Sequence, residues 1–348
     1  MRFPSYRLKG ALAAAAIGVG LHAVPASAVD IGDRTEIHGF GFQGYVQTSG
    51  NEYLGANHRG TWDYNTLSLI IATKLDDKTK LWSMLDNNPD GTRLGWMFVD
   101  RQLGENITVK AGQSKLPWGL YGDILDARAL QQSAVLPAIY SDAADMRDEA
   151  YRGGGITYTP GNFILEGFLG QVVNLGQAVD AGSVKDRRLI GGRATYKTPV
   201  EGLRLMASAF SSGVEDTITG KTKNFRSAAL SADFVRDNWD VKAEYAKKTF
   251  EADTQGYYVQ VGYMVGEKWT PYARYDYIVM DKAKKSDPSY YQKSAVVGID
   301  YKITGSVSVR LEEHLNHGYG LPVGSAEVLP GAGKTNWRMF AASLNFLF

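Results

Sequence analysis

The sequence predicts an all-β fold, a transmembrane antiparallel β-barrel of about 16 strands with one long constriction loop after the fifth strand. Most of the chain repeats one theme, in which a run of alternating apolar and polar residues is followed by turn residues. The connections between these runs alternate between short and long. One stretch, from Lys115 to Ala150, breaks the theme because it is long, rich in charge and interrupted by Pro117 and Pro137.

The first 28 residues have the pattern of a secretory signal peptide. A positively charged start is followed by an uncharged apolar run at 11–21 and by a small-residue cleavage site that ends at Ala28. The apolar run is too short for a membrane-spanning helix, which needs about 20 apolar residues. We therefore expect residues 1–28 to be removed during export through the Sec pathway and residues 29–348 to form the barrel.

Composition narrows the class of protein further. The chain contains 39 Gly, 20 Tyr, 13 Phe and 7 Trp but no Cys, which excludes thiolate metal sites and cysteine nucleophiles. Without residues 1–28, 35 basic residues remain against 37 acidic ones, so the charge gives no sign of a nucleic-acid partner. An exported chain without disulfides must be stabilised by burial or by a closed hydrogen-bonded ladder. Together with the dense aromatic residues, this favours an outer-membrane barrel.

Period-two alternation locates the strands. In the clearest case Val309, Leu311 and Leu315 point to one face, whereas Arg310 and Glu312 point to the other. The same test gives 16 strands, an even number as in single-chain bacterial barrels. They are predicted at 36–48, 62–76, 79–86, 93–103, 106–113, 152–159, 162–171, 188–198, 202–213, 224–236, 238–250, 255–266, 268–280, 292–302, 305–316 and 336–348.

The connections support a barrel over a soluble β-sandwich, whose connections need not alternate in length. Tight turns such as Asp76-Asp77-Lys78 separate longer links, and this asymmetry is typical of outer-membrane barrels. The longer links are predicted at 49–61, 87–92, 114–151, 172–187, 214–223, 251–254, 281–291 and 317–335. Aromatic residues near strand ends suit interfacial girdles: Trp62, Trp96, Tyr158, Tyr196, Trp239, Tyr257, Trp269 and Tyr301. A barrel of this size has a water-filled lumen, into which polar side chains must point.

The C-terminus and the link at 114–151 carry a family resemblance. The last strand alternates and ends on the aromatic residue Phe348, like the terminal strand that the barrel-assembly machinery reads. The long link occupies the place of the third loop of 16-stranded Gram-negative porins, which folds inward to form the eyelet. The segment from Ser114 to Leu120 looks like a K-x-P-x-G-L stretch of the phosphate-selective porins. That group's lysine-rich lumen is not evident here, because the charged residues that follow Lys115 in the long link are mostly acidic.

This resemblance implies a channel in the Gram-negative outer membrane for the passive diffusion of small hydrophilic solutes or ions. A channel selective for one substrate class, such as anions or phosphate, is the alternative. The resemblance also implies a homotrimer that contacts outer-membrane lipid and lipopolysaccharide, with no cofactor. Small residues near the first strand, Gly39, Gly41 and Gly44, would allow close contact between barrels.

Charged residues of the long link are expected to line a constriction, where opposed charges order water and select permeants. Its acids could oppose wall arginines such as Arg193, or they could pair with nearby arginines such as Arg147 and only hold the loop down. The candidates are Lys110, Lys115, Asp123, Asp126, Asp142, Asp145, Arg147, Asp148, Glu149, Arg193, Arg274, Arg310 and Glu312. The pattern leaves the permeant and the preference for anions or cations open.

Two further hypotheses are an enzyme built on a barrel and an adhesive barrel that conducts nothing. An enzyme needs a nucleophile with a positioned base, and no histidine after residue 28 stands in a Gly-x-Ser-x-Gly or His-Glu-x-x-His context. No metal site is predicted, because the polar stretch from Asp86 to Gly91 lacks the spacing of a calcium loop. A barrel that only anchors can be smaller than 16 strands. The sequence therefore predicts a channel without enzymatic activity.

Overall fold

The computed structural model describes residues 29–89, 91–173, 184–216 and 220–348. The predicted signal peptide at 1–28 lies outside the described residues, as do parts of the predicted links at 172–187 and 214–223. The described chain is a single antiparallel sheet that closes into a barrel. Its strands are β1 (Val29–Ile31), β2 (Thr35–Thr48), β3 (Thr61–Asp76), β4 (Thr79–Asn88), β5 (Gly91–Gln102), β6 (Ile107–Lys115), β7 (Ala150–Tyr158), β8 (Phe163–Val173), β9 (Val184–Lys197), β10 (Leu203–Asp216), β11 (Thr222–Arg236), β12 (Trp239–Thr249), β13 (Asp253–Tyr263), β14 (Trp269–Val279), β15 (Tyr291–Lys302), β16 (Val307–His317) and β17 (Asn336–Leu347).

Short helical turns occupy the links. The α-helical turn α1 covers Gly320–Gly324, and the 3₁₀ turns cover Gly122–Ile124, Arg128–Leu130, Ala138–Tyr140, Asp142–Ala144, Lys282–Lys284 and Pro288–Tyr290. Four of these 3₁₀ turns lie between β6 and β7, so that link is a folded segment with local structure of its own. Within the described residues, no helix is both long enough and apolar enough to cross a membrane.

The predicted 16-stranded architecture is confirmed, since β2 to β17 fall on the 16 predicted strands. The sequence misses β1, whose three residues are too few to show a period. β1 pairs with the start of β2, from Val29↔Ile37 to Ile31↔Thr35. The predicted link at 87–92 is too long, because the β4–β5 ladder continues to Asn88↔Gly91. Gly91 has a φ of 120°, a conformation that favours glycine in so tight a connection. The predicted link at 251–254 is likewise shortened to 250–252.

The predicted alternation of the wall is also confirmed. In β16 the side chains of Leu311 and Leu315 are 43% and 49% exposed on the outer surface, whereas Arg310 and Glu312 are 3% and 1% exposed on the inner one. The outer surface is therefore apolar and the inner one polar, which is the arrangement of a barrel in lipid.

Trp96 departs from the predicted aromatic girdle. The β4–β5 register shifts between Met84 and Leu85, where Met84 faces Trp96 and Leu85 faces Leu94, so Gly95 is an extra residue. Such a bulge reverses the face of the residues that follow it. Trp96 therefore packs against the buried residues inside the barrel, together with Phe98 at a ring distance of 5.5 Å.

The ring closes between the two ends of the chain. The ladder between β17 and β2 runs from Met339↔Thr48 to Leu347↔Phe40, and Phe348 continues it through two backbone hydrogen bonds with Gly39, of 2.7 and 2.9 Å. The ring of Phe348 lies where a side chain at Gly39 would be, and a Cβ at Gly41 would stand 2.6 Å from the Phe346 ring. These glycines therefore accommodate aromatic rings of their own chain, which differs from the expected contact between barrels.

Candidate functional site

The segment between β6 and β7, residues 116–149, is the candidate site and is called the long loop below. Trp118, Ile139 and Met146 are fully buried within it. The loop bonds to side chains that point inward from the barrel wall, so it lies inside the barrel. Irregular backbone buried in this way needs partners for its N–H and C=O groups, and the wall supplies them.

Carboxylates of the wall accept hydrogen bonds from the loop backbone. The two oxygens of Glu312 accept from the N–H groups of Ala134 and Val135, at 2.9 and 3.0 Å. Asp276 accepts from the N–H of Ala138 at 3.2 Å. Such charge-assisted bonds are stronger than neutral ones, and they fix the middle of the loop to β14 and β16.

Glu244 of β12 holds a second point of the loop. One oxygen accepts from the hydroxyl of Tyr140 at 2.5 Å, and the other accepts from the N–H of Leu120 at 2.9 Å and from the hydroxyl of Ser231 at 2.6 Å. The start and the middle of the loop therefore meet at one wall carboxylate. Trp118 and Tyr140 also contact each other edge to face, with ring centroids 5.4 Å apart.

Two wall arginines bind loop carbonyls. Arg310 donates to the carbonyl oxygens of Arg128 and Ala129, at 2.6 and 3.0 Å, and Arg274 donates to that of Val135 at 3.0 Å. Each arginine is only 3% exposed. The sequence assigns Arg274, Arg310 and Glu312 to the inner face correctly, but the structure places them beneath the loop instead of across an open gap from its acids. The strand period gives the direction of a side chain and not what covers it.

Arg193 of β9 does face a loop acid. Its guanidinium lies 2.6 Å from Asp123 of the loop and 2.5 Å from Glu166 of β8. Burial raises the pKa of Asp123 above its ordinary value; Arg193 opposes the shift, and the neighbouring carboxylate of Glu166 adds to it. Glu166 is absent from the sequence candidates, although its place between the outward-facing Phe163, Leu165 and Leu169 gives it the inward phase.

The base of the loop is tied by buried charges. Lys115, at the end of β6, is ion-paired with Asp126. Arg93 of β5 lies 3.7 Å from Glu149 and 3.4 Å from Asp86. Burial alone would raise the pKa of Asp126, but the adjacent Lys115 ammonium outweighs it and holds that pKa below its ordinary value. Burial raises the pKa of Glu149.

The remaining loop acids lie towards the end of the barrel that carries the long links. Asp142 lies 3.5 Å from Arg147, which also donates to the carbonyl of Tyr140 at 3.1 Å. Asp145 is exposed and lies 3.2 Å from Lys248 of β12. Asp148 is half-buried. Asp123 and Asp145 thus face basic residues of the wall, whereas Asp142 pairs within the loop.

Other long links cover the loop from the same end. The hydroxyls of Tyr53, in the link between β2 and β3, and Ser141 of the long loop lie 2.8 Å apart. Glu327, between β16 and β17, accepts from the N–H groups of Leu54 and Gly55 at 3.1 and 3.0 Å. The long loop is therefore held from above as well as from the side. Among the described residues, no group of acidic or histidine side chains could hold a metal ion.

Comparison with solved structures places this architecture among outer-membrane proteins. OmpF of Salmonella typhi, in complex with daunomycin, is 12% identical over 92% of this chain and all of that chain, with a TM-score of 0.64. An anion-selective porin from Comamonas acidovorans is 14% identical over 90% and 99%, with a TM-score of 0.58. OmpT of Vibrio cholerae, an outer membrane protein described in a trimer form, is 11% identical over 91% and 100%, with a TM-score of 0.57.

No family model matches the chain, and no curated protein matches it in sequence. The similarity to solved structures thus concerns the fold. The chain has the 16-stranded barrel architecture of the Gram-negative outer-membrane porins.

Proposed function

We propose that this protein is an outer-membrane porin, a water-filled channel for the passive diffusion of small hydrophilic solutes or ions. The observation that carries the proposal is a polar inner wall that closes into a ring around a long loop bonded to it. The apolar outer surface suits lipid, and the polar inner wall suits water. The anion-selective porin and OmpF, which share this architecture, support the proposal.

The long loop narrows this channel. It occupies one side of the lumen, and Asp123, Glu166 and Arg193 form its charged border with β8 and β9. Lys110 of β6 points inward beside them. Opposed charges at a narrow point select permeants by charge, so this group is the part of the site that would set ion preference. The ion pairs of Lys115, Asp126 and Glu149 hold the base of the loop in place and do not line the channel.

The same reading extends to location and assembly. The pattern of residues 1–28 supports export through the Sec pathway to the outer membrane of a Gram-negative bacterium. There the outer surface contacts lipid and lipopolysaccharide, the barrel-assembly machinery reads the terminal strand, and the chain forms a homotrimer. The trimer form of OmpT supports the last point. The barrel acts as a channel and not as an enzyme.

Conductance of the purified protein in planar lipid bilayers tests the proposal. Folded protein should insert with stepwise increases of current in KCl, and a KCl gradient should give a reversal potential that reports ion preference. The matched control is the same preparation unfolded by heat, which should give no steps. A preparation that is folded by circular dichroism and by heat-modifiable gel mobility, but conducts nothing, would contradict the proposed function.

A further inference from the structure

The inner wall of β4 and β5 carries an aromatic face for which the proposed channel function gives no reason. Trp82 of β4 lies directly opposite Phe98 of β5 in the ladder, and Trp96 is the next inward residue of β5. All three are half-buried. Elsewhere the inner wall is mostly polar or is covered by the loop. Aromatic rings that are partly exposed to water in the lumen carry a free-energy cost, which a ligand that covers them would remove.

Two ammonium groups border this face. Lys80 of β4 lies 5.6 Å from the ring centroid of Trp82, and Lys110 of β6 lies 5.8 Å from that of Phe98. Among the described residues, no carboxylate oxygen lies within 4 Å of either ammonium. The carboxylate of Asp100, between them in the ladder, accepts a hydrogen bond of 2.9 Å from the Trp82 indole. That bond fixes the plane of the indole.

Glycines line the wall beside the aromatic face. Across the strands, Phe98 pairs with Gly112 of β6, and Gly112 pairs with Gly153 of β7. Lys110 of β6 pairs with Gly155 of β7. These positions put no side chain into the lumen. A Cβ at Gly155 would lie 2.9 Å from Cε of Lys110 and 2.7 Å from the Tyr151 hydroxyl. Glycine there therefore keeps the space that the lysine side chain occupies.

We propose that this face binds aromatic carboxylates of the benzoate class as they pass through the channel. The flat ring stacks on Trp82 and Phe98, since offset stacking of aromatic rings is favourable beyond the burial of area. The carboxylate binds the Lys110 ammonium, with Lys80 at the other edge. Among the described residues neither ammonium is in an ion pair, and the carboxylates of Asp123 and Glu166 near Lys110 are already paired with Arg193, which favours an anion over an aromatic cation at this face. The inference rests on the proposed channel function and specifies a substrate class for it.

Benzoate block of single channels tests this inference. Current through open channels in KCl is recorded as benzoate is added, and the block is normalised to the open current of each variant. We expect concentration-dependent interruptions with benzoate, and none with acetate or benzylammonium at equal concentration. Trp82→Leu and Lys110→Gln should each weaken the block about tenfold, which corresponds to about 1.4 kcal/mol.

Lys293→Gln is the matched control. Lys293 also lies near aromatic rings, 5.9 Å from that of Tyr277 and 5.6 Å from that of Tyr291, but on the outer surface of the barrel. The control should keep the wild-type block. Channels that conduct KCl but show no benzoate block, or that benzylammonium blocks equally, would overturn the inference and leave the proposed function standing. Block that survives both Trp82→Leu and Lys110→Gln would overturn it too. Absence of KCl current would instead overturn the proposed function.

Discussion

At the scale of single residues, the sequence predicts well which face of the wall a side chain points to, but it does not predict which groups that side chain binds. Arg310 points inward as its strand period predicts, yet its guanidinium binds two carbonyl oxygens of the long loop. No local pattern indicates this contact, because 181 and 182 positions separate the partners along the chain. Arg193 has the same inward phase and pairs with a loop acid instead. Whether a wall arginine meets a carbonyl or a carboxylate depends on the path of the loop.

The direction of the wall residues can be tested on Leu311. Its side chain is 43% exposed on the outer surface near the centre of β16. Leu311→Arg places a charge in lipid, which costs about 2–4 kcal/mol near the bilayer midplane. A urea titration of folding in lipid vesicles measures this loss. Leu329→Arg is the control, because Leu329 is 74% exposed in the link between β16 and β17. An equal loss in both variants would contradict the assigned outer surface.

A second residue-scale prediction concerns Asp123 and pH. Burial raises the pKa of this loop carboxyl, so it loses its charge at a higher pH than an ordinary aspartate as the solution is acidified. Because acidic rings favour cations, the reversal potential in a KCl gradient should move towards anions over that pH range. Asp123→Asn should already show the shifted potential at pH 7 and should flatten the pH response. Asp142→Asn is the control, because this exposed side chain pairs with Arg147, and it should keep the wild-type pH dependence of the reversal potential. If Asp142→Asn flattens that pH dependence as Asp123→Asn does, the pH dependence does not come from Asp123.

At the scale of elements, strands were predictable and the long loop was predictable only in outline. Alternation repeats along every strand, so a period and a face follow from the residues themselves. The one-residue bulge at Gly95 interrupts the alternation, so the prediction of the face fails there and Trp96 points inward. The loop has no period, and its position depends on contacts such as Glu312 with Ala134, which are far apart in sequence. Its length and its apolar residues indicate a packed segment, but they do not indicate which wall it packs against.

Shortening the loop tests what this element does. Removing the residues between Gly122 and Asp142 deletes the backbone groups that Glu312 and Arg310 hold. The ladder of β6 with β7 ends at Lys115↔Ala150, outside the deletion, so the barrel should still close. Single-channel conductance should rise, because part of the lumen is cleared. A correctly folded barrel with unchanged conductance would show that the loop does not narrow the channel.

At the scale of the whole molecule, the barrel depends on one seam between the ends of the chain. Every other pair of neighbouring strands is joined by a connection, whereas β2 and β17 meet without one. Closure removes the sheet edges that lipid cannot satisfy. Phe348 extends the seam beyond Leu347 through both of its backbone hydrogen bonds to Gly39.

The seam predicts that Gly39 and Phe348 act together. The Phe348 ring fills the position of a side chain at Gly39, so Gly39→Ala should displace it and lower the fraction of closed barrel. Deleting Phe348 should have a similar effect, since it removes the ring and the last two bonds of the ladder. Gly104→Ala is the matched control, because no atom lies within 4 Å of a Cβ there. The folded fraction is read from heat-modifiable gel mobility after refolding into vesicles. Adding Gly39→Ala to the Phe348 deletion should cause little further loss, because the clash disappears with the ring. Fully additive losses would show that Gly39 acts through something other than the terminal ring.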